Sequence, residues 1–191
     1  MRALLPIVGG LVLYLVWQGR ARASVNAPSP GGGLGVEWDW MNVLSPIYTP
    51  PASSRPYAFL FDAAEVRYGL PRYLLYRQAQ KESAFNPRAL NSRSGAQGIM
   101  QIMPATARQP GYGVSPITDP YDPAQAIPFA AAYLRGLYNT FGTWSKALAA
   151  YNWGPGNVTR VTSGGNPDWL DHTPPETQDY VAVITRDISG A

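Results

Sequence analysis

The 191-residue sequence predicts a mainly α-helical fold, and three observations carry that expectation. No stretch sustains the apolar–polar alternation of a half-buried strand. In "DPAQAIPFAAAYLRGLYNTFG" the residues Ile127, Ala130, Leu134, Leu137 and Phe141 recur at the 3.6-residue period of one helix face. Helix punctuation recurs as well: Gly69 followed by Pro71, Gly154-Pro155-Gly156, and a Thr-x-x-Glu spacing at Thr173 and Glu176. With 46% hydrophobic residues the chain can bury a proper core.

The helices are expected from Tyr57 onward. "YAFLFDAAEVRYGLP" is a compact amphipathic segment that stops at Gly69. Pro71 opens "PRYLLYRQAQKES" as a first-turn proline. "GIMQIMPATAR" is short and apolar. Within the long striped segment, Pro128 is expected to end an initial turn, with the main helix starting there. "TWSKALAAYNWGPG" reads as a helix stopped by Gly154-Pro155-Gly156. In "TPPETQDYVAVITRDI" a capping box between Thr173 and Glu176 is expected to start the last helix around Pro174 and Pro175. No internal repeat is visible.

Ahead of this domain, assigned to residues 57–191, lie two segments of other character. In residues 1–23, "ALLPIVGGLVLYLVW" is an uncharged run bordered by Arg2, Arg20 and Arg22. Two readings compete. "ARA" at Ala21–Ala23 has the form of a signal-peptide cleavage site. Tyr14, Trp17 and the arginines form the aromatic–basic border of an uncleaved membrane anchor. Arginines directly after the run disfavour cleavage, so an anchor is the expectation. Residues 24–56 hold much of the Gly and Pro and read as a tether interrupted by Trp38 and Trp40, which suit a membrane interface or the domain surface.

Composition excludes several classes. The chain has no cysteine, so disulfides and thiolate metal sites are out. His172 is the only histidine, sits beside Asp171 in a polar loop, and cannot build a His-rich zinc site. No GxSxG elbow marks a serine hydrolase. Residues 57–191 carry 11 Lys and Arg against 10 Asp and Glu, a balance that argues against nucleic acid as a partner.

One carboxylate stands out. Between Lys81 and Pro104, Glu82 is the only acidic residue. It shares a helix face with Leu75 and Ala79, so it reaches apolar surroundings at a helix C-terminus. Desolvation and the negative end of the helix dipole both favour its protonated form. An acid still protonated near neutral pH suits general-acid chemistry. The competing reading is a glutamate that pairs with Arg77 or Lys81, or that satisfies loop backbone.

The motifs "ES-x-FNP", "GAQGIMQIMP", "ALAAYNWGPGNV" and "PPETQDYV", in that order, resemble the soluble lytic transglycosylase (SLT) family, which shares the lysozyme-like fold of goose-type lysozymes. The resemblance spans residues 61–183. It implies that Glu82 is the catalytic acid/base and that Ser83 supports the helix end. It places Gly95, Gly98, Met100 and Gln101 in the glycine–Met–Gln motif, with glycines that let backbone approach sugar and a Gln101 amide that binds substrate or orients Glu82. Core packing competes for Met100. Ser92 lies three residues before Gly95, where the family has a substrate-contacting serine, although its spacing from Glu82 is one residue longer. Tyr151 and Asn152 match the Ala-Tyr-Asn motif; the Tyr151 hydroxyl needs a partner, for which Glu82 is the candidate. Trp153 stands where the family has a small residue and can stack on sugar or pack. Glu176 matches the second acidic residue near the acetamido group, with the capping box as its competing role. Tyr180, one turn later, is a cleft residue.

Most glycosidases use two carboxylates. Where goose-type lysozymes place Asp, this loop offers Asn91, Ser92 and Ser94. The resemblance therefore implies cleavage of peptidoglycan by an internal hydroxyl, giving 1,6-anhydro ends, with no metal or cofactor. A hydrolytic muramidase and an inactive peptidoglycan-binding module are the alternatives, the retention of Glu82, Gln101, Tyr151 and Asn152 together speaking against the latter. The expected location is a membrane with the domain facing peptidoglycan, in a bacterial envelope or a phage virion, with secretion to the periplasm as the alternative.

Overall fold

The structure is a computed structural model that describes residues 48–188. Seven α-helices account for most of it: α1 (Ala58–Tyr68), α2 (Leu74–Ser83), α3 (Pro104–Arg108), α4 (Pro123–Phe141), α5 (Trp144–Trp153), α6 (Pro155–Thr162) and α7 (Pro175–Thr185). Short 3-10 turns cover Ala52–Tyr57, Ser163–Gly165 and Trp169–His172. Among the described residues β structure is limited to two isolated antiparallel bridges, Leu90 with Gln97 and Gln97 with Ile102. The fold is mainly α, as the sequence predicts.

Helix α4 is the spine. Asp122 caps it by accepting the Ala124 N–H at 2.9 Å, and Pro123 fills the first turn. Its stripe is buried as expected at Ile127, Ala130, Leu134 and Leu137, while Phe141 packs partly buried at the end. The expected break at Pro128 does not occur; α4 runs through it. The ring removes one hydrogen bond near the N-terminus, and burial of Ile127, Phe129 and Ala130 on either side holds the helix together.

Around α4 the other helices interlock: α1 and α5 pack on it, α5 also meets α6 and α7, and α7 packs on α2. Two charged side chains weld helix ends. Glu65 of α1 accepts the N–H groups of Tyr73 and Leu75, both at 2.9 Å, satisfying orphan donors at the start of α2. Arg135 of α4 donates to the carbonyls of Tyr68 and Gly69 at the end of α1.

Three local expectations change. Gly154 ends α5 at φ 96°, but Pro155 then opens α6 instead of a loop. The Thr173–Glu176 capping box is absent: Pro174 is the N-cap, and the Thr173 hydroxyl donates to the Leu170 carbonyl at 2.8 Å. Two consecutive prolines shift the helix start past Thr173 and free the Glu176 side chain. At the front of the domain, residues 48–56 are folded. The Tyr48 hydroxyl donates to Gln80 Oε1 at 2.8 Å, its ring packs on Tyr73, and the Arg77 guanidinium lies over it. The expected anchor in residues 1–23 and the rest of the tether, with Trp38 and Trp40, lie outside the described residues. Among those described, no helix is long and apolar enough to cross a membrane.

Candidate active site

A cleft of about 590 Å³ opens beside the C-terminal end of α2. Glu82, Gln101, Tyr151, Asn152, Glu176 and Tyr180 all line it. They come from α2, the following loop, α5 and α7, so four separate stretches of sequence meet at one place.

Glu82 sits in the last turn of α2, half-buried, one turn after fully buried Ala79. The helix ends abruptly behind it. Ala84 and Phe85 both take left-handed φ values (51° and 66°), and the Phe85 N–H returns to the Ala79 carbonyl at 3.4 Å. Neither residue is glycine, so the turn is strained and is held by the buried Phe85 ring. The strain turns the chain away at once and leaves the carboxyl at the cleft wall.

Burial pushes the Glu82 carboxyl up to about 7; Tyr180 donates a hydrogen bond that opposes this, Glu176 raises it further, and Lys81 lowers it. The Tyr180 hydroxyl donates to Glu82 Oε1 at 2.5 Å. The partner expected for Glu82 was Tyr151, and this is corrected: the Tyr151 hydroxyl donates to the Met100 carbonyl at 2.9 Å. Burial pushes the Tyr151 hydroxyl pKa well up, and the nearby Glu82 carboxylate adds to it. Lys81, a candidate partner of Glu82 in the sequence, forms its ion pair with Asp179 of α7.

The loop from Ala89 to Ile102 forms another wall, closed by Gln97–Ile102 hydrogen bonds of 3.0 and 2.9 Å and by Gly98 N–H to Ala89 O at 2.8 Å. Gln101 adopts φ 47°, and its Nε2 donates to the carbonyls of Gly98 (2.9 Å) and Ala89 (3.3 Å). No hydrogen bond joins it to Glu82 among the described residues; its role is to brace the loop while presenting its carbonyl end. Ser83 ties α2 to the same loop by donating to the Ile99 carbonyl at 2.8 Å. Ser92 lines the cleft, exposed, beside an Asn91 whose carboxamide accepts the N–H groups of Arg93 and Ser94.

Three residues of the glycine–Met–Gln motif, Gly95, Gly98 and Met100, do not line the cleft. Met100 is fully buried in the core and serves the site through its backbone carbonyl. Gly98 has φ 75°, and a Cβ there would lie 1.9 Å from the Pro120 carbonyl oxygen. Its lack of a side chain serves loop packing, not approach to sugar. Gly95, at φ 80°, has open space where a Cβ would stand.

On the α7 side, Asn152 is fixed by the Thr177 hydroxyl at 2.8 Å. Glu176, exposed in the first turn of α7, is the cleft's other carboxylate. A second cavity of about 320 Å³ shares Gln101, Met103, Tyr151 and Asn152 and continues along Phe129, Tyr133 and Trp153. Trp153 thus borders open space, with Arg160 over its ring. Among the described residues no group of His, Asp or Glu could hold a metal ion.

The cleft thus holds a partly buried acid near neutrality, bonded by a tyrosine, and the model of the transglycosylase SLT domain fits residues 59–166 of the chain. The chain belongs to the transglycosylase SLT family. The matched span holds Glu82, Gln101, Tyr151 and Asn152, whereas Glu176 and Tyr180 lie beyond it on α7. The chain is 40% identical over 111 residues to a transglycosylase of Enterobacteria phage PRD1, covering 51% of this chain and 40% of that protein. It is 40% identical over 129 residues to membrane-bound lytic murein transglycosylase F of Alcanivorax borkumensis, covering 60% and 26%. A crystal structure of an inactive mutant of lytic transglycosylase Slt from Pseudomonas aeruginosa superposes with a TM-score of 0.61 at 27% identity, covering 69% of this chain and 23% of that one. The chain thus spans less than half of each of these three proteins.

The sequence did not single out the cleft residues Arg93 and Met103. Arg93 looks like an ordinary surface charge in sequence, and only the fold of the loop after α2 brings it to the site. Gln78 was missed for the opposite reason: a polar residue on a buried helix face gives a signal, but no motif names its partner.

Proposed function

We propose that this domain is a peptidoglycan lytic transglycosylase with Glu82 as its single acid/base. The observation that carries this reading is the Glu82 carboxyl, raised to about 7 by burial and hydrogen-bonded by Tyr180 in a cleft of about 590 Å³. At neutral pH a large share of such a group is protonated.

In the first step Glu82 gives its proton to the oxygen that bridges N-acetylmuramic acid to N-acetylglucosamine, and the bond from that oxygen to the muramic anomeric carbon breaks. In the second, the C6 hydroxyl of the same muramic residue attacks that carbon and returns its proton to Glu82. One C–O bond is lost and one gained, no water enters, and the muramic end becomes a 1,6-anhydro ring. The nucleophile is tethered to the reacting sugar, so its effective concentration is high. Cleft groups assist by holding the strand: Asn152, fixed by Thr177, offers an amide, Ser92 a hydroxyl and Gln101 a carbonyl.

A second reading is hydrolysis. It rests on Glu176, an exposed carboxylate in the same cleft that is close enough to raise Glu82 electrostatically. Mass spectrometry of the fragments released from purified peptidoglycan separates the two. Transglycosylation gives muropeptides lighter by one water and inert to borohydride. Ordinary reducing ends would establish a muramidase, and the absence of any fragment would leave a binding module.

Attachment to a membrane through Ala3–Trp17 is part of the proposal. It is supported by the aromatic–basic border of that run and by relatives whose names include membrane-bound lytic murein transglycosylases. Intact-mass measurement and fractionation test it. A soluble chain beginning at Ser24 would refute the anchor. The phage relative and the bacterial ones support a virion membrane and a cell envelope equally.

A further inference from the structure

Gln78 is the one fully buried amide side chain among the described residues, with zero exposure inside the core. It lies on α2 one helical turn before Glu82, on the face that meets α7. Its Nε2 and Oε1 atoms both lack a hydrogen-bond partner. A buried, unpaired amide is costly, so its retention in a buried helix face calls for a partner. Across from it on α7, the helix packed against α2, stands Tyr180, which Gln78 influences and whose hydroxyl already donates to Glu82. The Gln78 amide acts on that hydroxyl in the sense of a donor facing the oxygen, favouring its ionised form against the burial that disfavours it.

We propose that Gln78 is a positioning residue for Glu82: its Nε2–H donates to the Tyr180 oxygen and thereby commits the Tyr180 proton to the Glu82 carboxyl. A phenol has one proton to give. If Gln78 presents N–H to the oxygen, that proton has no competing acceptor and must point at Glu82. If the position were apolar, the hydroxyl would rotate more freely and the carboxylate would lose part of its stabilisation. The proposal rests on Glu82 being the acid of the reaction, but its test does not need turnover.

The other groups that bear on Glu82 are known. Lys81 adjoins it on α2 and is tied to Asp179; Glu176 and Tyr180 face it from α7, Tyr151 from α5, and Arg93 lines the cleft from the loop. None of these is altered by Gln78→Met, which keeps the side chain's size and removes both hydrogen-bonding atoms. The four glutamates of the chain can be followed by carboxyl 13C NMR during a pH titration of the full-length protein, with Glu82 assigned from Glu82→Gln. Gln78→Met is expected to raise the Glu82 midpoint by about half a unit to one unit, the equivalent of one ordinary hydrogen bond. Tyr180→Phe is expected to raise it as well, and adding Gln78→Met to Tyr180→Phe should move it no further. An unmoved midpoint in Gln78→Met, with or without a lower melting temperature, overturns the proposal, as does additivity in the double variant. Should Gln78→Met fail to fold, the wild-type protein still decides. The Gln78 side-chain 15N–1H signals should titrate with the Glu82 midpoint and lose that dependence in Glu82→Gln; signals indifferent to pH overturn the proposal. Failure of the enzymatic reading would show instead as absent anhydro products with these couplings intact.

Discussion

At the scale of single residues the site separates proton transfer from support. Glu82→Gln keeps size and an acceptor for Tyr180 but has no transferable proton. Release of muropeptides is expected to fall by at least about 100-fold, the usual effect of general-acid loss, with the circular dichroism spectrum unchanged; clearing of cell walls at the wild-type rate would remove Glu82 from the mechanism. Tyr151→Phe acts differently. It deletes the donor to the Met100 carbonyl and so loosens the loop that carries Gln101. The expected result is a loss of about 1 kcal/mol in stability together with slower turnover, and a Glu82 titration close to that of the wild type. A Glu82 midpoint displaced as far as in Tyr180→Phe would restore Tyr151 as the direct partner. The sequence marked both tyrosines as cleft residues, yet paired the acid with Tyr151, whereas the hydroxyl that meets it is that of Tyr180. Both lie in apolar helices with one polar tip, and the choice depends on the relative height of α5 and α7.

Among helices and loops, what the sequence showed was periodicity, and what it hid were partners distant in the chain. The α4 stripe was legible because 3.6-residue spacing is a local property. The capping box was misread because the spacing Thr-x-x-Glu is also local, while the two intervening prolines decide where the helix starts. The actual cap of α2 was invisible: Glu65 comes from α1 and reaches the N–H groups of Tyr73 and Leu75. Glu65→Ala is therefore expected to destabilise the domain by about 1–2 kcal/mol, in the range of a lost helix cap, read as a drop in melting temperature. An unchanged value would mean that water replaces the carboxylate without cost. Gly98 makes a related point. Its motif was readable, but the reason for glycine is the Pro120 carbonyl packed against it, a contact across 22 positions that no local rule supplies.

For the molecule as a whole, the same burial that readies Glu82 for catalysis sets a pH dependence of stability. The folded-state value is raised from 4.5 to about 7, so the folded chain holds this proton more tightly than the unfolded chain. The contribution is fully present below about pH 4.5 and is lost as pH rises through about 7. Glu65, raised to about 7 by burial against the two N–H groups it accepts, works in the same direction. Glu82→Gln isolates the first of these, since the amide cannot ionise. At pH 4.5 the variant and the wild type should unfold at similar temperatures. Above pH 7 the variant should be the more stable, by an amount on the order of 2 kcal/mol, while turnover of the wild type declines over the same interval as the protonated acid disappears. Thermal unfolding of both proteins from pH 4 to 8 reads the difference directly. A gap that stays constant across that range would mean that Glu82 is as well solvated in the fold as in the unfolded chain, and the cleft would then have no means of keeping an acid protonated at neutral pH.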